Sequence, residues 1–410
     1  MRELRESVEL NSKTDGTQLV CTVVQSSKVI GYVVIDSTIR GHSIGGLRML
    51  PDIDEQEMRL LAHTMTLKYG FLGLPHGGAK AGVLCDPEAP QEKRRQCLAT
   101  FGRTIAPLLL NRVYIPGTDM GTDNEDISYI LKVAGIKPKR RDLQGTQSGY
   151  YTALTVFTGA KQAARHLNMS MSQCSVAIEG FGSVGRSLGE LFANANARVV
   201  AISTSRGAIF NPKGLDMKQL IKLATEAGSQ VIDLYTEAER IDCSSLLELP
   251  VDLLFPCARH NSINEDNSER VKARVISPGA NNPITPEAER TLFKRGVLCL
   301  PDFVTNCGGV LGGTMEFASV RRGRIEAFID RYIGARIDLL LSESASHRVL
   351  PRDIAEPYAM NRFDRMRRDA DHFTLFGRLF QAGLELYRRG GIPGHVVAPL
   401  SLPYFKRLLT

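Results

Sequence analysis

The chain has 410 residues, 43% of them hydrophobic and 23% charged, ordinary for a globular protein and enough for two domains with cores of their own. No apolar run approaches the ~18 residues of a membrane span, and the charged opening MRELRESVELNSK has no secretory core, so a cytoplasmic protein without a membrane partner is expected. The net charge of +7 is modest, and the eight cysteines form no C-x-x-C pair and no zinc spacing, so reduced thiols and no metal are expected.

Residues 18–37 hold two Val/Ile-rich stretches that read as strands, and IRGHSIGGLRM after them reads as a glycine-containing turn. EQEMRLLAHTMTLKYGF has helical periodicity, with Met58, Leu61, Met65 and Lys68 near one face. LPHGGAKAGV then reads as a glycine-rich loop around Lys80. Glycines allow close backbone approach, so a lysine among them is partly desolvated, and a second cation such as Lys68 would lower its pKa further. Two such lysines suggest one that holds an anion and one that moves protons. After a second helix, YIPGTDMGTD sets Asp119 between glycine-containing turns. Thr122 and Glu125 are the expected capping box of the next helix and Gly135 its stop, which leaves Asp119 for another task.

Residues 140–150 are polar, and from about 151 strands and helices alternate as in a parallel α/β sheet. SVAIEGFGSVGRSLGELF places Gly180, Gly182 and Gly185, with Ser183 and Val184 between, after an apolar strand and at the opening of a helix. This G-x-G-x-x-G in its strand-to-helix context predicts a pyrophosphate cradle and hence dinucleotide binding. The next strand ends in AISTSRG, with Thr204 and Arg206 where an acid would select NAD. Hydroxyls and a guanidinium suit a 2′-phosphate, so NADP is slightly favoured over NAD. GANNP places Asn281 and Asn282, and PDFVTNCGGV places Asn306, in glycine turns where amides can orient a ligand or satisfy the turn itself. The Arg-rich C-terminal stretches alternate with acids and apolar residues, which reads as a solvated helix face and not a nucleic-acid site.

The stretches GGLRM, MTLKYGFLGLPHGGAKAG, PGTDMGT, IEGFGSVG, GANNPITPEA and PDFVTNCGGV, in this order, resemble the glutamate, leucine, phenylalanine and valine dehydrogenase family. The resemblance implies an N-terminal α/β substrate domain (1–145) and a doubly wound Rossmann domain (146–320); the mixed helical periodicity after 320 predicts a helical C-terminal segment (321–410) that packs back on the first domain. It implies reversible NAD(P)-dependent oxidative deamination of an L-amino acid by a homo-oligomer. Carried over by motif, Lys68 binds the α-carboxylate, Lys80 activates water, and Asp119 shuttles protons. Asn281 lies near the nicotinamide ribose and Asn306 near the amino and carboxylate end of the substrate, with Ser148 at the cofactor where many relatives have threonine. Glutamate dehydrogenases carry a lysine just before the GGLR glycines and a serine in the late loop; here these are Ile44 and Gly313. With Gly46 and Gly117 also expected at the substrate, the pocket positions favour a hydrophobic amino acid of the leucine/phenylalanine branch, although the texture around LPHGGAKAG looks like the glutamate branch.

Overall fold

A computed structural model describes residues 6–11, 18–139, 146–371 and 383–409, the first group as backbone only. The remainder of the charged opening and residues 140–145 of the polar stretch lie outside the described residues. The chain divides into two units, Met1–Gly145 with Tyr358–Leu400, and Thr146–Pro357 with Ser401–Thr410.

The first unit is built on a six-stranded sheet in the order β1-β2-β3-β5-β4-β6: β1 (Glu6–Asn11), β2 (Leu19–Gln25), β3 (Lys28–Ile35), β5 (Gly77–Leu84), β4 (Ser43–Leu50) and β6 (Tyr114–Thr118). The pairings from β1 to β5 are antiparallel, and β4 pairs in parallel with both β5 and β6. Helix α1 (Glu55–Leu72) starts on an Asp54 cap and ends at Gly73, whose φ of +71° requires the left-handed region. Its Met58, Leu61 and Ala62 close one face of the sheet over Val20 and Val34. The helices Gln91–Thr104 and Asn124–Val133 contribute Leu98, Phe101 and Ile130 to the core on the other face, under Val23, Val33, Leu47 and Met49.

Two segments expected as glycine turns are strands. Residues 43–50 form β4, and the lysine loop is β5, buried almost throughout. The glycines serve close approach between packed elements and not a change of chain direction. A side chain at Gly45 would run into the Ala79 carbonyl, one at Gly31 into the Gly82 carbonyl, and one at Gly78 into the Thr66 amide nitrogen of α1.

In the second unit a seven-stranded sheet runs in the order β10-β9-β8-β7-β11-β12-β13: β10 (Glu239–Ile241), β9 (Gly207–Phe210), β8 (Arg198–Thr204), β7 (Ser175–Glu179), β11 (Leu253–Pro256), β12 (Val275–Ile276) and β13 (Leu298–Cys299). The strands from β8 to β13 are parallel, and β9 and β10 extend the edge antiparallel. Chain order reverses between β7 and β11, the switch point where doubly wound sheets bind ligands. The molecule is thus α/β, with a Rossmann sheet in its second unit.

The helical C-terminal chain is shared between the two units. Residues 358–371 of the helix Pro351–Asp371 belong to the first, where Gly70 of α1 abuts the Ala359 carbonyl and Arg362 donates to the Phe71 carbonyl at 2.8 Å. The end of the helix Gly394–Leu409 belongs to the second, where Phe405 meets Phe328 edge to face and Arg336 donates to the Leu409 carbonyl at 2.7 Å.

Candidate functional site

In the first unit the face of the sheet beneath α1 collects ionisable groups. Lys80 stands in the middle of β5 and is 2% exposed, because β3 and β4 flank it and α1 covers it. Its Nζ contacts Oδ2 of Asp119, which follows β6. The other carboxylate oxygen, Oδ1, accepts from the Met120 amide at 2.5 Å and from Arg48 Nη2 and Nε at 3.2 and 3.4 Å. Arg48 in turn donates through Nη1 to Glu57 of α1 at 2.5 Å. Lys68, also on α1, is buried as well.

Burial is the first cause that holds Lys80 well below the ordinary lysine range; the positive charges of Arg48 and Lys68 follow, opposed by Glu57. The sequence signalled Lys68 as the second cation and missed Arg48, which is the larger influence. GGLRM contained the clue, since in a strand its arginine lies on the same face as Gly46, two residues earlier. Gly46 leaves room for Asp119: a Cβ there would sit 2.8 Å from Oδ2. Gly117 is its register partner on β6 and faces open space, while Ile44, half-buried, pairs with Gly78 and Ile115.

The expected capping box is displaced by one residue. Asp123 caps the helix and Asp126 completes the box. Thr122 instead accepts from the Asp119 amide at 3.0 Å and donates to the Leu47 carbonyl at 2.7 Å, tying the Asp119 turn to β4. Thr122 and Asp123 are both good caps, and the tertiary contact to Leu47 takes the threonine.

In the second unit β7 runs into Gly180, whose φ is +87°. A side chain at Gly185 would strike the Gly180 carbonyl, whereas a Cβ at Gly182, the N-cap of the helix Ser183–Asn194, would meet nothing within 4 Å among the described residues. The turn, the close packing and the open approach are the three tasks of the glycine fingerprint. A second helix start converges here, since Gly149 abuts Ser183 next to Ser148, the first residue of the helix Ser148–His166. Two helix N-termini with free amides and an uncluttered glycine fit the pyrophosphate of a nicotinamide dinucleotide. Val184 lies in the first turn, near Gly279.

Thr204 ends β8 and donates to the Ser229 carbonyl at 3.0 Å. Arg206 and Arg240 both bind Asp233, each at 2.5 Å. Asn306 donates through Nδ2 to the Ala280 carbonyl at 2.9 Å and to Asn281 Oδ1 at 3.0 Å. Its own Oδ1 is buried with no hydrogen-bond partner among the described residues, an acceptor that a ligand N–H would satisfy. Gly313 lies on the helix Gly308–Phe317, where a Cβ would come within 3.6 Å of Thr146 Oγ1. Asn306 and Gly313, expected at the substrate together with Lys68 and Ile44, belong to the second unit, and Lys68 and Ile44 to the first. Among the described residues no cluster of His, Cys, Asp or Glu could hold a metal, and no helix is long and apolar enough to cross a membrane. None of the eight cysteines is joined in a disulfide.

Residues 146–327 match the family profile described as Glutamate/Leucine/Phenylalanine/Valine dehydrogenase, and residues 19–134 match that of its dimerisation domain. The chain belongs to the Glu/Leu/Phe/Val dehydrogenase family. A NAD-specific glutamate dehydrogenase of Staphylococcus aureus (strain COL) is 33% identical over 305 residues, 72% of this chain and 73% of the relative. A glutamate dehydrogenase of Thermotoga maritima is 34% identical over 301 residues, 70% of this chain and 72% of the relative. The fold is also that of a hetero-hexameric glutamate dehydrogenase from Thermus thermophilus, at TM-score 0.72 and 22% identity over 91% of both chains. It is shared with an L-tryptophan dehydrogenase from Nostoc punctiforme, at TM-score 0.59 and 23% identity over 86% of this chain and 97% of that one. As a member of the Glu/Leu/Phe/Val dehydrogenase family, this protein is an NAD(P)-dependent oxidoreductase, an amino-acid dehydrogenase with small-molecule substrates.

Proposed function

We propose that the protein deaminates a hydrophobic L-amino acid oxidatively and reversibly. The observation that supports this most is the buried contact of Lys80 with Asp119 beside Lys68. In this reading residues 1–145 bind the substrate, residues 146–320 bind the cofactor, and residues 321–410 form the helical segment that completes them, in a homo-oligomer. The bound cofactor supplies a nicotinamide ring that accepts the hydride from the substrate Cα. Lys68 holds the α-carboxylate as a fixed cation. Lys80, biased towards its neutral form, takes a proton from the water that adds to the imine carbon. Asp119 delivers a proton to the nitrogen, which leaves as ammonia while the carbon becomes the 2-oxo group. The unpartnered Oδ1 of Asn306 suits a substrate N–H.

Ile44 and Gly313 offer neither cation nor hydroxyl to a side-chain carboxylate, and leaving one unpaired in an apolar pocket costs several kcal/mol. That supports Leu, Val, Phe or Trp. The names of the relatives that are 33% and 34% identical favour the second reading, glutamate. The lack of an acid at the end of β8, with Arg206 and Arg240 beside it, supports NADP, although Asp233 offsets one of the two charges. Initial rates with each amino acid and each cofactor, followed by nicotinamide absorbance, test both choices. The expected result is a kcat/KM for at least one hydrophobic amino acid about 100-fold or more above that for glutamate, with NADP preferred and the preference lost in Arg206→Ala. Glutamate as the best substrate would replace the first reading by the second.

A further inference from the structure

We propose that Arg48 is a positioning residue: its guanidinium, anchored by Glu57, fixes the Asp119 carboxylate so that one oxygen is committed to Arg48 and the other to Lys80. The inference deepens the reading of Lys80 and Asp119 as the proton-handling pair and rests on it. The planar fork of an arginine can bridge two carboxylates at once. Here Nη1 reaches Glu57 Oε1 at 2.5 Å, while Nη2 and Nε share Asp119 Oδ1 at 3.2 and 3.4 Å. The Met120 amide closes on the same oxygen at 2.5 Å, and Oδ2 is left for Lys80. Gly46 keeps its strand position clear for that carboxylate.

The arrangement is expensive as mere scaffolding. Arg48 and Glu57 are 5% and 3% exposed. A buried ion pair often contributes no more stability than apolar residues of the same volume, so its benefit is sought in what it orients. The charges around Lys80 act in both directions: Arg48 and Lys68 disfavour a proton on it and Glu57 favours one, while Asp52 adds a further negative charge facing Arg48. The remaining neighbour strand adds no charge at this level: β3 places Val34 opposite Lys80, and Asp36 at its end is engaged by Thr66 and by His63 at 3.3 Å. Arg48 therefore acts twice, by aiming Asp119 and by disfavouring a proton on Lys80.

The test is steady-state kinetics over pH on the full chain for Arg48→Gln and Arg48→Lys, with Asp119→Asn and Lys80→Ala alongside. Arg48→Gln is expected to lower kcat about 100-fold, the cost of a misplacement near 1 Å, with KM within about threefold. Without the Arg48 charge Lys80 holds its proton to higher pH, so the rising limb of kcat/KM for deamination moves to higher pH. Arg48→Lys is expected to return that limb towards its original position while regaining only part of kcat, because one ammonium cannot bridge both carboxylates. Cofactor binding by fluorescence reports that the variants are folded, and if Arg48→Gln is not, Arg48→Lys decides. Wild-type kcat with an unmoved limb in Arg48→Gln, or a kcat in Arg48→Lys equal to that of the wild type, overturns the proposal while leaving the Lys80–Asp119 reading intact. Activity retained in Asp119→Asn overturns that reading itself.

Discussion

Glu179 ends β7, immediately before the first glycine of the fingerprint, with its carboxylate buried and a hydrogen bond from Ser262 at 3.0 Å. Burial raises it from the ordinary 4.5 to about 7. The folded chain therefore keeps a proton that the unfolded chain sheds above about pH 4.5. This stabilisation is complete below the unfolded value and is lost as the pH rises through about 7, where the interval amounts to on the order of 3 kcal/mol. Glu179→Gln should match the wild type in urea unfolding near pH 4.5 and exceed it by up to that amount near pH 8. Parallel denaturation of the two proteins at both pH values would contradict it. At this scale the sequence displayed the candidate residues by type and motif but hid their partners. Lys80 and Asp119 stood out, yet the Arg48 and Glu57 that hold them are an arginine and a glutamate like many others until β4 and α1 are placed against β5.

Glycine carries most of the information at the scale of elements, and it carries two meanings. In β4 and β5 it permits backbones and α1 to approach within side-chain distance, and only a three-dimensional neighbour distinguishes that use from a turn. This is why β4 and the β5 that carries Lys80 read as loops, whereas the fingerprint glycines, set between an apolar strand and a helix, were legible in the sequence. The two meanings predict different phenotypes. Gly78→Ala forces a methyl group against the backbone nitrogen of Thr66 and should cost about 1–3 kcal/mol of stability or more. Gly46→Ala meets its neighbours less closely, Asp119 Oδ2 at 2.8 Å and Cβ at 2.9 Å, so its stability should change less, while the displaced Asp119 turn should lower kcat by an order of magnitude or more. Thermal melts beside kinetics separate the cases, and an active but unstable Gly46→Ala would reverse the assignment.

For the whole molecule, the alternation of strands and helices made the second sheet legible, and the six family stretches made the class legible. The C-terminal chain was not, because amphipathic periodicity says that a helix buries a face without saying against what. Its last turns close on the second unit through Phe405, which is 2% exposed, while Leu400, five residues earlier, is 73% exposed. Phe405→Ala is expected to cost about 3–5 kcal/mol in urea unfolding and Leu400→Ala less than about 0.5 kcal/mol. Equal effects would detach the chain end from that unit.

The backbone passes from one unit to the other after Gly145, after Pro357 and again after Leu400. Neither half is a contiguous stretch of gene. A clone stopping before the helix Pro351–Asp371 would strip α1 of the helix lying on Gly70 and deprive Phe328 of its cover in the same cut. Splitting this protein into autonomous pieces for expression or domain exchange thus calls for a rewired chain order, such as a tether from residue 145 directly to residue 358.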